Sequence, residues 1–114
     1  MRIFLIGYMG SGKTTIGRDV AERLSLNFVD MDAHIENQQR KTVAEIFTEL
    51  GEGKFRELER NCLLEVSDYE NVVIATGGGA PCFFNNMEIM KAAGETFYIN
   101  LNPKVLSDRL KTTP

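Results

Sequence analysis

Apolar residues in this chain fall into short continuous runs separated by stretches of helical spacing. Ile3-Phe4-Leu5-Ile6 is apolar at successive positions, so it suits a strand buried on both faces, as in the middle of a parallel sheet. Ile16, Val20, Ala21 and Leu24 then recur on one side of a helix expected over about 12–24. Gly17 lies inside that helix, and close approach of the helix to the sheet is its simplest explanation. Phe28-Val29-Asp30 reads as a second strand. Residues 32–50 read as helix in two pieces, the second opening near Val43 behind the capping box Thr42…Glu45 and stopping at Gly51 as a C′ residue. A third helical stretch, 54–67, carries Phe55, Leu58, Cys62 and Val66 on one face. Val72-Val73-Ile74-Ala75-Thr76 is the clearest strand after the first. A short helix over 86–93 should stop at Gly94, a strand should follow over 96–101, and Asn102-Pro103 should open a last helix.

Strands that alternate with helices pair in parallel through right-handed crossovers. The expected fold is therefore α/β, three layers with four parallel strands and helices on both faces, and Gly7-x4-Gly12-Lys13-Thr14 after the first strand makes it P-loop NTPase-type. At 114 residues the chain has the length of one domain. No internal repeat, linker or low-complexity segment divides it.

The first strand runs directly into Gly7-Tyr8-Met9-Gly10-Ser11-Gly12-Lys13-Thr14, which has the spacing of a P-loop. Glycines at these positions leave backbone amides bare, so successive N–H groups can turn toward phosphate oxygens. Lys13 adds a positive charge able to reach the terminal phosphates, and the Thr14 hydroxyl, in the first turn of the next helix, can ligate Mg²⁺. The helix N-terminus adds its own partial positive charge. Gly10, Ser11, Gly12, Lys13, Thr14 and Thr15 are the expected ATP contacts.

In open parallel sheets ligands bind beyond the carboxyl ends of the strands. Asp30 and Asp32 lie at the end of the second strand, two residues apart, with side chains expected on the same side. One could serve a metal and the other an acceptor, or Asp32 could simply cap the next helix. Gly77-Gly78-Gly79 follows the third strand, where three bare residues suit a surface against which a small substrate lies. Arg56 is the natural anion-binding side chain of this half, although spacing alone does not separate it from a solvated charge.

Charge excludes some partners. With 13 Lys+Arg against 16 Asp+Glu and a formal net charge of −3, no basic face offers itself to nucleic acid. Cys62 and Cys82 are too few for a disulfide framework and both sit in apolar-looking contexts, which fits a reducing cytoplasm. The opening apolar run is too short for a signal peptide, and no stretch approaches transmembrane length. His34 reads as a solvated surface residue.

The P-loop, Phe28-Val29-Asp30-Met31-Asp32, Phe55-Arg56-Glu57-Leu58-Glu59 and Ala75-Thr76-Gly77-Gly78-Gly79-Ala80, in this order and with these gaps, resemble shikimate kinase. The resemblance implies phosphoryl transfer from ATP to the 3-hydroxyl of shikimate, on the route to aromatic amino acids, with Mg²⁺ as cofactor and a monomeric enzyme. It implies that Asp32 holds ring hydroxyls near the attacking oxygen, that Asp30 positions Mg²⁺ through water, and that Arg56 pairs with the substrate carboxylate while Glu59 orients it. Gly78 and Gly79 would lie along the substrate, and Arg109 would stack on adenine. Lys13 and Asp32 are the expected catalytic pair. The resemblance also implies a lid, a strand and a helix beyond Pro114, so these 114 residues alone are expected to be marginally stable and nearly inactive. Other readings are a P-loop kinase for another small polyol acid and a nucleotide-binding module that transfers nothing.

Overall fold

The computed structural model describes residues 1–7 and 12–99. Its elements are β1 (Arg2–Ile6), α1 (Lys13–Leu24), β2 (Asn27–Asp30), α2 (Met31–Gln39), α3 (Val43–Val66), β3 (Val72–Ala75), a 3₁₀ turn (Ala80–Cys82), α4 (Asn86–Ala93) and β4 (Glu95–Tyr98). The strands form one all-parallel sheet in the order β2-β3-β1-β4. The expected α/β fold with helices on both faces is what forms.

Alternation along β1 sorts the core into two layers. Phe4 and Ile6, with Val72 and Ile74 of β3, face Met31, Ile35, Ile46, Leu63, Val66 and Met90 from α2, α3 and α4. Ile3, Leu5 and Val73 face Ala21, Ile16 and Val20 of α1. A Cβ on Gly17 would press into the Phe28 ring and Leu5, so the glycine does permit α1 to approach the sheet.

The capping box at the start of α3 is present: the Thr42 hydroxyl accepts from Glu45 N–H at 3.1 Å and Glu45 Oε1 accepts from Thr42 N–H at 3.0 Å. Gly51 has φ 87°, outside helical geometry, and it splits α3 into two arms where the sequence predicts a stop. β4 covers Glu95–Tyr98, and the expected residues 100 and 101 of that strand lie outside the described residues. The same holds for the helix expected after Pro103. No helix among the described residues is long and apolar enough to cross a membrane.

Two sequence expectations change. His34 is half-buried between α2 and α3, with Nε2 3.3 Å from Glu65 Oε2, rather than solvated. Cys62 is buried, but Cys82 is exposed, because Ala80 takes the inward position of the 3₁₀ turn and its carbonyl accepts from Asn86 Nδ2 at 2.9 Å. Burial pushes the Cys62 thiol up to about 12. Of these two cysteines, only Cys82 should react with a thiol reagent at pH 8 in the native protein. Cys62 should react only after unfolding, and peptide mapping of the labelled chain before and after denaturation checks both.

Candidate active site

Three loops leave the sheet side by side at its carboxyl edge. Leu5 pairs with Ala75 and Asp30 with the same Ala75, so β1, β2 and β3 end at one level. Buried Thr76 fastens the junction, since both its N–H (3.1 Å) and its hydroxyl (2.8 Å) donate to the Leu5 carbonyl. Gly7 and Gly77 therefore diverge from adjacent strands. After β3 the chain passes to the far side of β1 to form β4, which makes this edge the place where a crevice is expected.

On the P-loop side, Gly12 takes φ 91° and hands over to α1 at Lys13. Lys13 Nζ donates to the Gly7 carbonyl. Desolvation lowers the Lys13 pKa, and the nearby carboxylates of Asp32 and Asp30 oppose that shift. The Thr14 hydroxyl donates to Asp30 Oδ2 at 3.1 Å. Thr15 is exposed in the same turn. Gly10 and Ser11 lie outside the described residues, as does Arg109.

Asp30 and Asp32 do not share a strand, which corrects the spacing argument. β2 ends at Asp30 and α2 begins at Met31, so Asp32 stands in the first helical turn. The capping residue is Asp30, whose Oδ1 accepts from Ala33 N–H at 3.2 Å, and not Asp32. Asp32 is thereby left for the crevice.

A second cleft, about 230 Å³, opens beside it and is lined by Asp32, Val43, Phe47, Phe55, Arg56, Glu59 and Gly77 to Gly79. That is below the roughly 300–1,000 Å³ of drug-sized ligand sites, and suits a small acid. Arg56 is not solvated: its side chain is 16 % exposed, and Nη1 donates to Glu59 Oε1 at 3.0 Å. Glu59 is 1 % exposed. A Cβ on Gly77 would stand 2.7 Å from Glu59 Oε2 and 3.0 Å from Asp32 Oδ1, and one on Gly79 would stand 3.0 Å from Arg56 Nη2. Close approach of charged side chains, rather than turn geometry, requires these two glycines. Gly78 is exposed between them.

Burial raises the pKa of Asp32, with Asp30 and Glu36 adding to the shift while Lys13 and Arg56 oppose it. Burial also raises Glu59, against its hydrogen bond and ion pair with Arg56. Asp32 Oδ1, Glu59 Oε2 and Arg56 Nε are buried with no hydrogen-bond partner among the described residues. Unmatched buried polar atoms are expensive, and their convergence on one cleft marks a place for a polar ligand.

Of the residues expected at the site from sequence, Lys13, Thr14, Asp30, Asp32, Arg56, Gly78 and Gly79 all stand at this carboxyl edge of the sheet. The close approach of Gly77 to Glu59 and Asp32 was not foreseen, nor was the cleft wall of Val43, Phe47 and Phe55. Phe47 and Phe55 lie either side of Gly51, and that symmetry about a helix break was the available signal.

Fold and site together define a P-loop NTPase-type α/β domain with a small charged cleft at the carboxyl edge of its sheet. The chain belongs to the shikimate kinase family, whose sequence profile matches residues 9–114. It is 58 % identical over 111 residues to shikimate kinase of Bacteroides thetaiotaomicron, covering 97 % of this chain and 63 % of that one. The chain thus spans less than two thirds of the length of the curated relatives it matches. The crystal structure of shikimate kinase from Bacteroides thetaiotaomicron superposes with a TM-score of 0.88 at 57 % identity, over 99 % of this chain and 64 % of that one. A shikimate kinase from Acinetobacter baumannii, solved in complex with shikimate, superposes with a TM-score of 0.87 at 38 % identity, over 97 % of this chain and 62 % of its own.

A carboxyl whose pKa is raised by folding costs stability where it is ionised and costs nothing where it is protonated in both states. Asp32→Asn should therefore raise the urea midpoint at pH 7. That advantage should shrink as the pH falls through the raised Asp32 pKa and vanish below the ordinary 3.8. Urea titrations of both proteins across that range check it.

Proposed function

We propose that the protein containing this chain transfers the γ-phosphoryl group of ATP to the 3-hydroxyl of shikimate, with Mg²⁺, as a cytoplasmic monomer. The observation that carries the reading is Arg56, held at Gly79 by a buried glutamate in a small cleft that it shares with Asp32, next to the P-loop lysine. Shikimate offers one carboxylate and three ring hydroxyls. A guanidinium fork matches the carboxylate and Asp32 matches the hydroxyls. The relative that binds shikimate supports the same assignment.

Arg56 and Asp32 would fix the acceptor, and Lys13 would offset charge developing on the transferred group. Positioning and charge stabilisation make up most of such a reaction. The acceptor oxygen attacks the γ-phosphorus, the bond to the bridging oxygen of ADP breaks, and Asp32 receives the hydroxyl proton. Its raised pKa makes it a better proton acceptor than an exposed aspartate.

The residues present also fit Mg²⁺. The Thr14 hydroxyl gives its hydrogen to Asp30, leaving oxygen lone pairs for a cation, and Asp30 is near enough to hold a metal-bound water. Magnesium commonly takes one or two such protein oxygens, which Thr14 and Asp30 could provide. Thr14 directly and Asp30 through water would hold it, and it would supply positive charge to offset that of the phosphates.

The test is ATP consumption with and without shikimate, on the protein translated from its complete reading frame. ADP release that depends on shikimate is expected, whereas ATP binding without it would favour another acid or a non-catalytic module. Lys13→Ala should lower turnover by at least about 100-fold while the far-UV circular dichroism stays unchanged. Arg56→Ala should raise KM for shikimate by roughly 10- to 100-fold and leave KM for ATP nearly unchanged. Equal losses for both substrates would make Arg56 a structural charge.

A further inference from the structure

Arg56 is surrounded by aromatic carbon. Its Cζ lies 4.0 Å from the centroid of Phe83, 5.3 Å from Phe55 and 5.9 Å from Phe47. The two more distant rings line the cleft, but the nearest does not. Phe83 comes from the segment between the 3₁₀ turn and α4, half-buried, and it belongs to neither apolar core of the sheet. Core packing therefore does not account for it.

The backbone beside it is unusual. Phe84 has φ 52°, a left-handed conformation that a bulky residue seldom adopts, and it is 60 % exposed. Its ring faces Arg60, with Cζ 5.3 Å from the centroid. Arg56 and Arg60 are one turn apart on α3, so two consecutive phenylalanines contact two arginines of one helix. Strained backbone of this kind persists where the surroundings over-determine it.

We propose that Phe83 is a positioning residue for Arg56, and that its ring fixes the guanidinium plane in which the substrate carboxylate is received. This rests on the function proposed above. Glu59 holds Nη1 within the plane of the fork, and Gly79 gives the guanidinium room to lie against the backbone. Phe83 supplies what those two do not, a flat neighbour that restrains rotation and shields the cation from water. A cation within about 6 Å of a ring centroid is attracted by the ring's quadrupole, more strongly when it is desolvated. In-plane N–H groups stay available for a carboxylate.

The experiment uses the complete protein with Phe83→Leu, which keeps an apolar side chain without a flat face, and Phe83→Tyr, which keeps the face. Two readouts are taken: steady-state kinetics, and the Arg56 Nε–Hε resonance of the ligand-free protein by NMR. Phe83→Leu should raise KM for shikimate about tenfold, the weight of one partly desolvated cation–aromatic contact, with kcat and KM for ATP within about twofold of the parent. Phe83→Tyr should stay within about twofold of the parent in all three. The Hε resonance, displaced by the ring current in the parent, should move in Phe83→Leu and hold in Phe83→Tyr.

An unchanged KM in Phe83→Leu, equal losses in Leu and Tyr, or a kcat that falls together with the rise in KM would each overturn the proposal. Lack of shikimate-dependent turnover in the parent would refute the function instead. The resonance would then decide alone, and an unmoved Hε in Phe83→Leu would overturn the positioning role. Should Phe83→Leu not fold, Phe83→Met takes its place with the same expectations.

Discussion

Everything at the site depends on the parallel pairing of β1 with β3. Parallel strands put their carboxyl ends on one edge, and Thr76 ties the two strands there by giving both donors to one carbonyl of β1. Thr76 follows the last residue of β3, and its N–H and hydroxyl together close the strand's end. Slip the register by one residue and Gly77 would move away from Gly7, while Phe4 and Ile6 would exchange faces with Ile3 and Leu5. The two apolar layers therefore enforce the alignment of the two loops. Folding energy and site geometry are coupled through one register.

Charge at that edge is arranged in two groups. Lys13, Thr14 and Asp30 form one at the start of α1, and Arg56 and Glu59 form the other, with Asp32 sensed by both cations. Ionised groups this crowded are costly unless each has a partner of opposite sign. Glu59 has Arg56, and Lys13 has the two aspartates, yet both Glu59 and Asp32 stay shifted toward the protonated form. The arrangement is thus not the most stable one available to the fold. Under the proposed function the site would receive a cation, an anionic nucleotide and a small acid, and such a site is expected to carry a residual imbalance.

Most of the fold was legible because it rests on local signals. The Ile-Phe-Leu-Ile run, the Thr42…Glu45 box and the stop at Gly94 each fix an element without reference to the rest of the chain. The junction of Gly12 with α1 at Lys13 was legible for the same reason, since the spacing of the motif places the helix start there. What escaped depends on partners distant in sequence. Nothing near Glu59 announces that it will be buried, because the glycine that makes room for it is Gly77, in another loop. Cys82 looked inward by its neighbours, and the 3₁₀ turn reversed it. Asp30 and Asp32 looked alike at two-residue spacing, and only the switch from strand to helix between them gives one the cap and the other the crevice.

The cleft owes its shape to a break in a helix. In a straight helix, Phe47 and Phe55 would be separated by about 12 Å along the axis, from a rise of about 1.5 Å per residue. Here their ring centroids are 4.8 Å apart, with the planes inclined by 32°. Gly51, at φ 87° and with open space where a Cβ would stand, folds the two arms toward each other. Sterics of neighbours do not demand glycine there; the backbone angle does. One arm then contributes Val43 and Phe47, and the other contributes Phe55, Arg56 and Glu59, so a single helix supplies both the apolar wall and the guanidinium fork of the cleft. A residue favouring helical angles at position 51 would straighten the wall away from Asp32 and the glycines, and the fork would lose the surface it faces. The sequence signal of a helix ending is, in the folded protein, the bend that makes a binding cleft.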